Sequence, residues 1–217
     1  MNVLNETEAA LATRRRLLDA AGEVFAEKGF SSATVREICQ KAQANIAAVN
    51  YHFGDKQKLY AAVFADLHCV AEASAAPPEP ISGNPEERLR QFIRRFLKHH
   101  LDSGRPSWHG RLMAREMSEP TGTFESFVED EVRPKVILLQ SIVHDLVGPL
   151  PPRVVAQCVA SVVGQMLHYH YARSVLKRIG PVFADLDCDL EDLTHHITRF
   201  SLGGIRAIVD QLQGSKP

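Results

Sequence analysis

Apolar residues recur every three or four positions along nearly the whole chain, and no stretch alternates apolar with polar as a half-buried strand does. The pattern predicts an all-α fold of about nine helices. Leu17, Ala21, Val24 and Phe25 share one face of a first helix, and Gly29 is placed to stop it in left-handed backbone. Thr34 and Glu37 spell a capping box for a second helix with Val35, Ile38, Cys39 and Ala42 inward. Asn45 suits the N-cap of a third helix, and Asp55 that of a fourth running through Leu59, Val63, Phe64 and Leu67. Pro77, Pro78, Pro80 and Gly83 mark a linker over 75–84. Asn84-Pro85-Glu86-Glu87 restarts a helix with an N-cap, an N1 proline and an acidic first turn. A short helix over 108–118 follows, then one through Phe124, Phe127 and Val136 that Pro134 should kink. Pro151-Pro152 opens a long helix to Ile179, and Asp189 caps the last one, which reaches about residue 211.

The densest signal lies between residues 34 and 59: a capped short helix, a tight turn, a second short helix and an aromatic exit, the layout of a helix-turn-helix. On a helical wheel Val49 and Phe53 anchor the second helix to a core, leaving Ile46, Ala47, Asn50 and Tyr51 facing outward. Exposed apolar residues on so short a helix suit a DNA groove better than water. Asn can pair with adenine, Ala and Ile can meet a thymine methyl, and Tyr can bond a phosphate. Thr34 and Arg36 flank this face at one end, and His52 and Lys56 at the other. Lys56, a cation at a helix N-terminus, opposes the helix dipole, and a phosphate partner would rationalise it. The Arg14-Arg15-Arg16 run is a further candidate for the DNA backbone. A small three-helix subdomain with solvated charges is the bland alternative.

Charge adds a constraint. The net charge is -1, and the first 60 residues carry eight Lys/Arg against seven Asp/Glu. DNA affinity must therefore come from placement of charge, not excess. Cys39, Cys69, Cys158 and Cys188 are widely spaced, with no CxxC and no secretion signal, which fits a reduced cytoplasmic protein. Apolar runs are interrupted well short of about 18 residues, so no membrane span is expected.

Residues 13–60 resemble the DNA-binding domain of TetR-type transcriptional regulators. The likeness rests on Arg15-x-Leu17-Leu18-x-Ala20-Ala21, Phe25-Ala26-Glu27-Lys28-Gly29-Phe30, Thr34-Val35-Arg36-Glu37-Ile38, Asn50-Tyr51-His52-Phe53-Gly54-Asp55-Lys56 and Leu59-Tyr60. Two positions depart from the family pattern. Gln43-Ala44 stands where Gly-Val is usual in the turn, so Gln43 is expected in left-handed backbone. Ala47-Ala48 stands where Gly-Thr or Gly-Ser is frequent. By position, the family's DNA-contact roles fall on Thr34, Arg36, Asn45, Ile46, Ala47, Asn50, Tyr51, His52 and Lys56. The resemblance also implies a homodimer on a palindromic operator and a C-terminal domain that binds a small molecule. It divides the chain into a DNA-binding domain over 1–60 and a ligand-binding and dimerisation domain over 61–217.

Within the second half, the run from Arg111 to Thr121 and Val162-Val163-Gly164-Gln165 resemble the CecR-like subgroup. The residues themselves suggest an apolar pocket with a few polar groups, which is the usual small-molecule site. Its candidates are Phe96, Trp108, Leu112, Arg115, Glu116, Phe127, Gln165, His168 and Tyr169. Each has a bland alternative as core residue, ion pair or buried hydrogen bond. Val155, Val159, Val162, Val163 and Met166 on one late helix, and Ile197, Phe200, Leu202, Ile205 and Val209 on the other, suggest a four-helix dimer interface. The pairs His99-His100, His168-x-His170 and His195-His196 are not at i, i+4 spacing, so no metal site is expected and no cofactor is implied. No GxSxG, P-loop or HExxH supports an enzyme. The sequence thus favours a ligand-responsive regulator, repressor before activator, released from DNA by a small-molecule effector. A regulator gated by a protein partner and a helical adaptor that does not bind DNA stay open.

Overall fold

The computed structural model describes residues 3–72, 80–101, 106–180 and 189–214, and no strand occurs among them. Its helices are α1 (Val3–Ser32), α2 (Val35–Ala42), α3 (Ile46–His52), α4 (Lys56–Glu72), α5 (Pro85–Leu101), α6 (Trp108–Ser118), α7 (Gly122–Phe127), α8 (Arg133–Val147), α9 (Pro152–Tyr171), α10 (Arg173–Ile179) and α11 (Leu190–Gly214). A π-helical turn, Val128–Val132, joins α7 to α8, and only Ala172 separates α9 from α10. Taken as continuous rods these are nine, as the apolar periodicity suggests. Residues 75–79 of the 75–84 linker, and Cys188, lie outside the described residues.

The chain forms two compact units, residues 1–78 with 104–130 and residues 79–103 with 131–217. This packing division differs from a functional split at residue 60, because α6 and α7 pack with the N-terminal helices. In the first unit Leu17, Ala21 and Phe25 of α1, Ile38 of α2, Val49 of α3 and Leu59 and Val63 of α4 are all fully buried together. Trp108 and Leu112 of α6 belong to the same core. Trp108 sits in a notch on α1: a Cβ added to Gly22 would lie 2.4 Å from its indole ring. Glu116, one turn further along α6, is buried and accepts hydrogen bonds from the Tyr60 hydroxyl, the Thr121 amide (2.9 Å) and the Thr121 hydroxyl (3.0 Å). Burial, and then this bond to Glu116, pushes the Tyr60 hydroxyl far above its ordinary pKa, so it stays a donor.

Several expected boundaries hold with changed detail. Gly29 takes positive φ (76°) but an extended ψ (168°), so it breaks α1 and one further turn precedes Thr34. At Pro134 the helical rod changes its hydrogen-bond register. The π turn lies immediately before α8, and Pro134 occupies the first turn of α8, where its missing N–H costs little.

In the second unit α5, α8, α9 and α11 enclose a core of Leu89, Ile93, Leu97, Leu139, Ile142, Val162, Met166 and Ile197, among others. A capping box, with Asn84 and Glu87 each bonding the other's backbone N–H at 3.0 Å, starts α5. The apolar faces expected to meet a second subunit are largely spent here. Val155, Val159, Val162, Met166, Ile197, Leu202, Ile205 and Val209 are all buried inside the unit. What α9 and α11 leave outside is Phe200, Ile208 and Leu212, with Gly164, Gly203 and Gly204 on open surface. Among the described residues no single helix is long and apolar enough to cross a membrane.

Candidate nucleic-acid interface

Local chemistry builds the helix-turn-helix. The Thr34 hydroxyl accepts from the Glu37 amide (3.2 Å), and the Glu37 carboxylate accepts from the Thr34 amide (3.1 Å), completing the capping box at the start of α2. Glu37 also pairs with Lys28 at 2.5 Å. The Lys28 bond first, then those from Thr34, hold this carboxylate well below its ordinary value, at about 2. The turn out of α2 runs through Gln43 in left-handed backbone (φ 51°, ψ 46°), as its replacement of glycine required. There the Gln43 and Ala44 amides close onto the Gln40 and Cys39 carbonyls. Asn45 then caps α3, its side-chain oxygen accepting from the Ala47 amide at 3.0 Å.

This geometry fixes how α3 is presented. Val49 is fully buried and Phe53 nearly so, while Ala48 packs against the same core. Ile46, Ala47, Asn50 and Tyr51 face solvent together, with Tyr51 82% exposed. A phenol and an isoleucine left in water on a seven-residue helix gain nothing for the fold. Tyr51 stands edge-on to the His52 ring, centroids 4.9 Å apart, at the C-terminal end of the face.

The flanking groups divide into spent and available. Arg15 bonds Asp19 and Asp66, each at 3.0 Å; Lys41 pairs with Glu23, and Lys58 lies 3.9 Å from Asp55. Lys56 donates to the Ala33 carbonyl at 2.8 Å and lies 4.6 Å from the centroid of the Phe30 ring. A phosphate is therefore not needed to explain its position: it ties the start of α4 to the loop before α2. Arg36 is exposed and has no ion-pair partner among the described residues.

The nine residues expected to line an effector pocket fall in different units. Trp108, Leu112, Arg115, Glu116 and Phe127 belong to the unit that carries α3. Trp108 and Leu112 are its core and Glu116 is a satisfied buried carboxylate, so their apolar and polar character is used in packing. Arg115 lies against Gly29, where an added Cβ would be 2.5 Å from its Nε, and pairs with Glu119 at 3.4 Å. Phe96, Gln165, His168 and Tyr169 belong to the second unit. There Phe96 stacks on His100 at 3.9 Å, Gln165 donates to the Ser161 carbonyl and the Ser201 hydroxyl at 3.3 Å each, and His168 is exposed. The Trp108–Gly22 notch escaped sequence reading, though a glycine inside a helical pattern signals close approach of a neighbour.

Comparison with known proteins agrees with this construction. Residues 17–63 match the family described as bacterial regulatory proteins, tetR family. Residues 85–205, more than half of the chain, match the C-terminal domain of the HTH-type transcriptional dual regulator CecR. The chain belongs to the TetR family of transcriptional regulators. Within that family it carries a CecR-type C-terminal domain. It is 30% identical over 132 residues to CecR of Shigella flexneri, covering 56% of this chain and 58% of that protein. It is 30% identical over 81 residues to the transcriptional repressor NicS of Pseudomonas putida, covering 37% and 38%. The transcriptional regulator UidR of Escherichia coli is 38% identical over 78 residues, covering 36% and 38%. The chain thus aligns with less than two thirds of the length of these relatives.

Solved TetR-family regulators share the fold over most of the chain. HlyIIR, a hemolysin II transcriptional regulator, superposes with a TM-score of 0.60 at 19% identity, covering 88% of this chain and 97% of that one. AibR, solved with isovaleryl coenzyme A and operator DNA, gives 0.61 at 18% identity, covering 86% and 96%. These relatives are regulators, not enzymes.

Proposed function

We propose that this TetR-family regulator is a ligand-responsive repressor. It binds a palindromic operator as a homodimer and is released by a small-molecule effector. The observation that carries this reading is the outward face of α3, where Ile46, Ala47, Asn50 and Tyr51 stand exposed together on a helix pinned from behind by Val49 and Phe53. Asn50 suits an adenine edge, Ile46 and Ala47 a thymine methyl, and Tyr51 a phosphate. Thr34, Arg36, Asn45, His52 and Lys56 flank the face and complete the set assigned to DNA. Thr34, Asn45 and Lys56 do so while also holding α2, α3 and α4 in place.

The homodimer places two copies of α3 in successive major grooves about 34–36 Å apart. Its interface uses what α9 and α11 leave uncovered, Phe200, Ile208 and Leu212 beside open-surface glycines that permit close helix approach. AibR, of the same fold, binds both operator DNA and an acyl coenzyme A, which is the precedent for an effector. Effector and operator then select different arrangements of the dimer, and each weakens the other by the same factor. Buried free thiols at Cys39 and Cys158, both pushed up in pKa by burial, suit a reduced cytoplasmic setting.

The test is selection from random duplex DNA at near-physiological salt, followed by affinity measurement on the selected sequence. A palindromic consensus is expected. Asn50→Ala with Tyr51→Ala should keep the helical circular dichroism and the melting temperature, yet lose at least ten-fold in specific affinity, since a good base contact discriminates by about 1–3 kcal/mol. Undiminished binding by that double variant would remove α3 as the reading helix.

A further inference from the structure

Three consecutive arginines occupy α1 just before its buried face begins, and the structure gives each a different setting. Arg15 is exposed but committed to carboxylates of its own chain. It bonds Asp19 and Asp66, and the Asp66 side chain is only 12% exposed. Arg16 points to another side of α1, two residues and so about 200° away from Arg14. Its guanidinium donates to the Thr13 hydroxyl at 3.3 Å. Arg14 reaches toward the recognition helix. Its guanidinium carbon lies 5.3 Å from the centroid of the Phe53 ring, and Phe53 is the residue that closes α3.

Three features of Arg14 matter together. It is exposed, and no carboxylate forms an ion pair with it among the described residues. Its charge reaches Asp66, whose carboxyl it favours in the ionised form, but the Asp66 Oδ1 is already bonded by Arg15. Its platform is rigid, because Phe53 is 8% exposed and packs in the core with Val49. A guanidinium held over an aromatic face is oriented without being neutralised. The cation therefore stands, pre-positioned, beside the C-terminal end of the helix that presents Asn50 and Tyr51.

We propose that Arg14 is a phosphate anchor: its guanidinium binds a DNA backbone phosphate at the edge of the groove read by α3 and so fixes the register of Asn50 and Tyr51. The proposal rests on α3 being the reading helix. A planar guanidinium suits two oxygens of one phosphate, which a lysine ammonium does not match. Arg15, spent on Asp19 and Asp66, and Arg16, directed elsewhere, take no part. An anchor of this kind contributes affinity and placement without base preference.

The experiment measures affinity of the full chain for its selected operator over a range of salt concentrations. Wild type is compared with Arg14→Gln, Arg14→Met, Arg14→Lys and Arg16→Gln. Each phosphate contact contributes about 0.9 to the slope of log affinity against log salt. Arg14→Gln is expected to lower that slope by about 0.9 per subunit and to weaken all operator sequences alike. Arg14→Met still covers Phe53 but carries no charge, and should behave as Arg14→Gln does. Arg14→Lys should keep the slope and lose part of the affinity. Arg16→Gln should match wild type. An unchanged slope in both neutral Arg14 variants, or an equal drop in Arg16→Gln, overturns the anchor while leaving the operator reading intact. Failure of the wild-type chain to select any duplex overturns both.

Discussion

Gly22 is where one added methyl group tests the packing of α6 on α1. A Cβ at this position would stand 2.4, 2.5 and 2.6 Å from three ring carbons of Trp108. Carbon atoms pack at about 3.5–4.0 Å, so the overlap exceeds ~1 Å. Two effects oppose each other in Gly22→Ala. Alanine in a helix interior is favoured over glycine by roughly 1 kcal/mol. Forcing extra volume into a filled core costs typically about 1–3 kcal/mol. The ring cannot yield cheaply, because Trp108 is 2% exposed and shares its core with fully buried Leu112. The clash should therefore win, for a net loss of up to about 2 kcal/mol. Trp108 is the chain's single tryptophan, so urea unfolding followed by its own emission reports the change directly. The expected result is a lower midpoint and a red-shifted native spectrum. In a Trp108→Leu background, read by circular dichroism, the same Gly22→Ala change should become neutral or stabilising. If Gly22→Ala stabilises the otherwise wild-type chain by the full helix-propensity gain, the indole does not occupy the notch.

Gln43→Gly should stabilise the chain by about 0.5–1 kcal/mol in urea titrations, because it relieves left-handed backbone at a side-chain-bearing residue; a loss of stability would refute the strain. Glu37 titrates at about 2 in the folded chain against an ordinary 4.5, so its contribution is present above pH 4.5 and is lost as pH falls toward 2. The stability gap between wild type and Glu37→Gln should accordingly close over that window and shrink with added salt, and a gap constant from pH 6 to 2 would exclude the Lys28 pair and the capping bonds as its origin. Glu116→Ala strands the Tyr60 hydroxyl and the Thr121 amide in a buried site and should cost about 3 kcal/mol, with Tyr60→Phe costing less; equal, negligible losses in chemical denaturation would show the network to be solvated.

What was legible in the sequence is what short-range chemistry decides. Thr34 with Glu37, Asn45 before Ala47 and Asn84 with Glu87 are bonds between residues two or three apart, and each forms as its spacing implies. Gln43 is the same kind of case, since a turn that wants glycine imposes its backbone angles on whatever stands there. The effector residues were harder because their meaning depends on partners far along the chain. Trp108 meets Gly22, and Glu116 meets Tyr60, 56 positions away. An aromatic and acidic load in one short helix looks the same from sequence whether it lines a pocket or fills a core. The place of Lys56 has a second explanation for a related reason. Its unfavourable place at a helix start suggests an outside anion, whereas the Ala33 carbonyl, 23 residues earlier, already accepts a hydrogen bond from its ammonium.

The chain must recognise DNA with almost no surplus of positive charge, and the arrangement of its head narrows how. Through residue 60, eight cations face seven carboxylates. The fold then commits Arg15, Lys28, Lys41 and Lys58 to ion pairs and Lys56 to backbone carbonyls. Arg14, Arg16 and Arg36 are left without an ion-pair partner among the described residues, and Arg14 and Arg36 lie beside the two ends of the reading motif. Non-specific affinity grows with the number of phosphates neutralised, so a head this sparsely charged holds random DNA weakly. On the proposed reading, binding strength must then come from surface that is useful only against the right bases: the amide of Asn50 and the apolar caps of Ile46 and Ala47. Such contacts lose little to salt and much to a wrong base pair. Few available cations and an exposed apolar α3 are thus two sides of one arrangement, in which discrimination between sequences rises as the general attraction to DNA falls.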